Sequence, residues 1–195
     1  MCEVMISVQP KWCELIASGK KTVEVRKTKP KTDVPFKCYI YQTKLRWVYT
    51  LLHALGFFAI ARRLARGTGK VIGEFVCRNI YFLDESALFE GMDEISNSVI
   101  EEYSCLSIDE LLAYKGNKKE IYGWSISDLV IYDEPKELCE FFRSCGDNPK
   151  CEGCEAHYYS NTECGKEDYC CSIVDGHRPL KRPPQSWCYV KGGAE

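Results

Sequence analysis

Lys21, Glu24 and Arg26 stand close together in the stretch Gly19-Lys20-Lys21-Thr22-Val23-Glu24-Val25-Arg26. A carboxylate beside two cations is held ionised and sets acceptors next to donors, the combination that reads a base edge or grips a phosphate. The alternation of polar and apolar residues predicts a strand with Thr22, Glu24 and Arg26 on one face, while Val23 and Val25 turn to a core. Lys21 enters this strand from the turn after a helix. The same three charges also suit an ion-pair network in the wall of a sheet, so spacing alone leaves a ligand site and a structural network both open.

The cysteines offer a second chemistry. Thirteen are present, of which seven fall within 139–171. Cys151-Glu152-Gly153-Cys154 is a CxxC whose glycine permits the tight turn that brings two thiolates onto one ion, and a tetrahedral zinc needs two further ligands. Cys164 and Cys170 supply them; Cys145 paired with Cys170 or Cys171 is an alternative, and His157 is a reserve. The flanking run is polar and too poor in apolar groups to fold by burial, which favours a structural zinc over mobile thiols or an iron–sulfur centre. The chain begins Met-Cys-Glu-Val-Met and reaches Lys11 without the apolar run of a secretory leader, so a cytoplasmic protein that uses cysteine for metal is expected.

Length and charge bound the rest. The 195 residues suit one main domain over 1–195, with 45% hydrophobic residues to fill a core. The net charge of −2 conceals an asymmetry: residues 1–73 carry 14 Lys+Arg against 4 Asp+Glu, and the remainder carries 12 against 24. A basic first third fits contact with a polyanion, or pairing with the acidic remainder.

Several elements position these groups. Val4-Met5-Ile6-Ser7-Val8 predicts a buried strand, Pro10 starts a helix over 11–18, and Gly19 closes it. Residues 36–41, 70–77, 121–132 and 186–190 read as strands; Met92–Tyr103 and Ile108–Tyr114 read as helices, the second opened by the capping box Ser107 to Glu110. Short helices among strands, without regular βαβ alternation, predict an α+β fold built on a small mixed barrel. Trp124 and Trp187, at strand ends, are candidate stacking platforms for a base, although large aromatics mostly pack inside. Residues 45–69 interrupt the plan as an apolar and basic helical insertion. Its run from Trp47 to Ala61 is shorter than the roughly 20 residues of a membrane span, so no transmembrane segment is expected, and 47–66 could dock a host protein. Residues 139–178 form the Cys-rich insertion.

The stretch from Gly19 to Arg26 fits GxKxxExR and resembles the signature of the ASCH domain, a compact PUA-like β-barrel. Ser7-Val8-Gln9-Pro10-Lys11-Trp12, residues 69–75, 122–129 and 182–190 resemble ASCH-like proteins of phages and prophages. The resemblance leaves out the 45–69 insertion and the cysteine cluster. It implies binding of RNA or a modified nucleotide in a cleft beside the motif strand, with Lys11, Lys21, Glu24, Arg26, Trp124 and Trp187 as candidate contacts. Some ASCH members are amidohydrolases on N4-acetylcytidine that use a lysine and a threonine nucleophile. Their lysine matches Lys21, but Glu24 stands at the threonine position, so Lys21 and Glu24 are the catalytic candidates of an alternative reading and enzyme activity is not expected.

Overall fold

The computed structural model describes residues 2–44, 55–56, 67–84, 101–143 and 179–191. Strand β1, Glu3–Val8, buries Val4, Ile6 and Val8 on one face and Met5 on the other, which places it inside a sheet covered on both sides. Helix α1, Pro10–Ala17, follows at once. Pro10 stands at its start, where the missing N–H costs nothing, and Pro10, Cys13 and Ile16 form its buried stripe. Gly19 then adopts φ +72°, a left-handed conformation that costs a glycine little, and turns the chain into β2, Val23–Arg26.

Strand β3, Phe36–Gln42, pairs in parallel with β1 and antiparallel with β4, Val71–Cys77. Strand β5, Ile80–Asp84, pairs with β6, Glu120–Ser125, which also pairs with β2. Between β5 and β6 lies helix α2, Ile108–Lys115; the Ser107 side chain accepts the Glu110 N–H while the Glu110 carboxylate accepts the Ser107 N–H, so both halves of the expected capping box form. Strand β7, Ser127–Lys136, a 3-10 turn over Leu138–Glu140, and the short strands β8, Phe142–Arg143, and β9, Trp187–Lys191, complete the described chain.

The strands form two sheets, in the orders β7-β4-β3-β1-β9-β8 and β2-β6-β5. The chain steps between sheets at two corners, from β4 to β5 through Arg78–Asn79 and from β6 to β7 at Ile126. The Ser125 hydroxyl oxygen accepts the N–H groups of Arg78 at 3.1 Å and Asn79 at 2.9 Å, which clamps one corner against the other. The main core lies between the sheets and includes Val4, Ile6, Ile40, Phe75 and Trp124. A second cluster, around Tyr39 and Phe141, covers the opposite face of the larger sheet, and Val25, Leu111 and Ile121 seat α2. Each large apolar side chain fully buried in this way contributes about 1.5–3 kcal/mol relative to exposure.

The mixed α+β fold with short helices agrees with the sequence reading. Among the described residues hydrogen bonding does not join the two sheets into a closed ring; the sheets meet at corners, and closure into the expected barrel is not shown by these residues. The strand expected over 121–132 is two strands, broken at Ile126, and Asp128, just inside the second, takes φ 49°. Strand β5 was not expected, because Ile-Tyr-Phe-Leu shows no alternation. Of the expected 139–178 insertion, only 139–143 and 179 onward border the described chain: Phe141 is buried and β8 pairs with β9, so 139–143 pack on the main fold, and 144–178 lie outside the described residues. The helix expected over Met92–Tyr103 is helical over 101–104, and 92–100 lie outside the described residues. So does the 45–69 insertion apart from 55–56 and 67–69.

Candidate functional site

A cavity of about 220 Å³ opens where β1 ends, α1 begins and β2 crosses beneath them. Ser7, Val8 and Gln9 form one rim, Trp12 comes from α1, and Glu24, Val25 and Arg26 supply the floor. Lys21 reaches in from the turn before β2, while Leu106 and Tyr114 close the side carried by α2.

The three motif charges meet here. Glu24 lies 3.0 Å from the Arg26 guanidinium and 3.5 Å from the Lys21 ammonium. Lys21, Glu24 and Arg26 are 2%, 7% and 6% exposed, so neither face of β2 is open to water and the polar face is as enclosed as the apolar one. Lys21 Nζ donates to the Ser104 carbonyl at 2.6 Å and lies 5.2 Å from the centre of the Trp12 ring. Arg26 donates to Ser7 O at 2.9 Å and to Ser186 O at 3.2 Å, and its Nε is buried with no hydrogen-bond partner among the described residues. Burial lowers the pKa of Lys21, against the opposing pull of Glu24. Burial and then the Glu24 charge push the neighbouring Cys13 thiol up to about 12, which leaves it a packed, protonated group.

Strand pairing explains the arrangement. Glu24 faces Trp124, and Val25 faces Gly123. A Cβ at Gly123 would lie 2.9 Å from Val23 Cγ1, so a glycine there lets β2 and β6 come together.

The other candidates divide. Lys11 is exposed on α1, with its ammonium 4.3 Å from the Trp12 ring centre, at the cavity's edge rather than in its lining. Trp187 is half-buried, and its indole N–H donates to Thr28 Oγ1 at 2.9 Å. Trp124 is corrected to a core residue: it has no exposed surface, packs edge-on to Phe36 at 5.4 Å and so offers no face for a base. Cys151, Cys154, Cys164 and Cys170 lie outside the described residues, among which no three His, Cys, Asp or Glu side chains converge. Tyr114, Leu106 and Ser104 were not foreseen. Their nearness to the capping-box helix was visible, but nothing local tied that helix to β2.

Fold and cavity together define a small two-sheet α+β protein whose first crossover carries a buried Lys–Glu–Arg cluster. Residues 6–136, well over half of the chain, match the ASCH domain, and the chain belongs to the ASCH domain family. That family is associated with RNA binding. The fold is similar to the crystal structure of ASCH from Zymomonas mobilis, with a TM-score of 0.53 and 20% identity over 97% of this chain and 87% of that one. A tyrosine-to-phenylalanine variant of the Zymomonas protein gives 0.52 at 20% identity, covering 97% and 90% of the two chains. A serine-to-alanine variant gives 0.54 at 20%, covering 97% and 88%. At this identity the likeness is one of fold. No curated protein matches the chain. Among the described residues no helix is long and apolar enough to cross a membrane.

Proposed function

We propose that the chain binds RNA or a modified nucleotide, with one base or its phosphate entering the cavity at Lys21, Glu24 and Arg26. The observation that carries this is one cavity lined together by Lys21, Glu24 and Arg26, whose ammonium and guanidinium lie within 3.5 Å of the carboxylate, beside the Trp12 and Tyr114 side chains. At about 220 Å³ the space is smaller than the about 300–1,000 Å³ of pockets for drug-sized ligands, so it suits a single base-sized group. Binding of short single-stranded RNA should weaken in Lys21→Met and Arg26→Gln and should fall with added salt. Affinity that ignores both substitutions and salt would remove the cavity from the reading.

A hydrolase reading uses the same residues, since a lysine with lowered pKa is a potential base. Against it, Lys21 donates to the Ser104 carbonyl and pairs with Glu24, which favours keeping its proton. Incubation with N4-acetylcytidine and water should release no acetate and cytidine above the buffer rate; turnover lost in Glu24→Gln would instead establish the hydrolase.

The remaining parts of the proposal rest on sequence. They are a structural zinc on Cys151, Cys154, Cys164 and Cys170, docking of a host protein through 47–66, closure of the sheets into a PUA-like barrel, and a cytoplasmic protein of phage or prophage type.

A further inference from the structure

We infer that the three-stranded sheet adds an aromatic step beside the cavity, on which the neighbouring base of a single-stranded nucleic acid stacks; this rests on the cavity reading above. Register sets Arg26 opposite Tyr122 and Tyr122 opposite Phe82, so the three project in a row from one face of the sheet. The row begins in the cavity floor and ends at the outer strand, β5.

Phe82 is 57% exposed, and its ring meets that of Tyr122 edge-on at 5.4 Å. The Tyr122 hydroxyl donates to the Glu120 carboxylate, which holds that ring in place. Two lysines stand over aromatic faces. Lys29 Nζ lies 4.7 Å from the Phe82 ring centre and 5.8 Å from that of Tyr122, and Lys27 Nζ lies 5.1 Å from the ring of Tyr114 in the cavity wall. Both lysines are exposed, and among the described residues neither has a carboxylate within 4.0 Å.

A flat apolar ring left more than half in water, with a cation above it that no carboxylate of the described residues pairs, matches the two halves of a nucleotide. The base covers the ring. The displaced ammonium, on a flexible stem, meets the phosphate that joins this base to the one in the cavity. Duplex RNA keeps its bases paired and gives Phe82 nothing to stack on, so a single strand is the fitting partner.

Fluorescence anisotropy with a labelled random-sequence 10-mer RNA, single-stranded and as a duplex of equal length, tests the step. The single strand should bind more tightly than the duplex. Phe82→Ala should weaken it about tenfold or more, Phe82→Tyr should retain it, and Lys29→Ala should lower the salt slope by about one. Thermal unfolding of Phe82→Ala should match that of the wild type, because the ring is largely outside the core. Equal affinity of the wild type and Phe82→Ala for the single strand, or a preference for duplex, overturns the step. If Arg26→Gln loses binding while Phe82→Ala does not, the cavity stands without it; absence of any RNA binding by the wild type removes both.

Discussion

Lys21 donates to the backbone carbonyl of Ser104 at 2.6 Å, a bond that spans 83 positions of sequence and fastens the turn before β2 to the segment leading into α2. The ammonium is thereby fixed with only 2% of the residue exposed, and Glu24 is its counter-charge.

Burial sets the sign of the pH response. The folded pKa of Lys21 lies below the ordinary 10.5, so between the two values the unfolded chain holds more protons and stability rises with pH. Below the folded pKa both states are protonated and the burial cost is fully present. Urea unfolding of the wild type and Lys21→Met across the alkaline range should show the wild type gaining on the variant as pH approaches 10.5. A gap that is flat, or that moves the other way, would mean that Lys21 is better solvated than its position implies.

Glu24 and Arg26 should behave as a unit. Arg26→Met leaves a buried carboxylate short of a partner and should cost about 3–5 kcal/mol. Adding Glu24→Gln should recover part of that loss, with a coupling of about 0.5–3 kcal/mol in a double-mutant cycle by chemical denaturation. Strictly additive losses would show that the 3.0 Å contact contributes nothing of its own.

Three thiols should resist alkylation in the native state. Cys13, Cys38 and Cys77 are at most 1% exposed, and burial raises their pKa values, to about 12 for Cys13 and about 11 for Cys77. Cys139 is exposed. Brief iodoacetamide treatment at neutral pH, followed by peptide mass mapping, should mark Cys139 and leave the other three untouched until denaturant is added.

Zinc on the Cys-rich segment would be structural. Elemental analysis of protein purified without chelator should find close to one zinc per chain, and Cys151→Ser should abolish it. The two-sheet core lies outside 144–178, so its thermal transition should be largely kept. Metal-free protein in which those thiols all titrate freely would end the assignment, and an iron-containing preparation would replace zinc with a cluster.

Much of the first third was legible because its signals are local. Proline at the start of α1, a glycine able to take positive φ after it, and alternation through β2 placed Lys21, Glu24 and Arg26 correctly along the chain. What alternation cannot tell is which face of a strand another layer covers. Glu24 and Arg26 were expected on a polar face and prove as enclosed as Val23 and Val25, and Trp124 was offered to a ligand although β6 turns it into the core against Phe36. Tyr114 and Leu106 escaped notice because only the packing of α2 on β2, through Val25, Leu111 and Ile121, brings them to the cavity. The sheet corner at Ser125 was hidden for a similar reason, since its hydroxyl closes a turn on a distant stretch of chain.

Because β1 lies between β3 and β9, the middle of the larger sheet is assembled from both ends of the described fold. On the ribosome β1 emerges well before β9, and one of its edges waits until residues 187–191 have been made. Through that interval it shows an unpaired row of N–H and C=O groups, the condition under which nascent chains pair with one another. The Arg26 guanidinium shares the delay, since the Ser186 carbonyl arrives with the same segment, 160 positions later. The anchoring of Arg26 is therefore among the last contacts made during translation, and a ribosome stalled short of residue 186 holds a chain in which Lys21, Glu24 and Arg26 are all present but Arg26 is not yet locked.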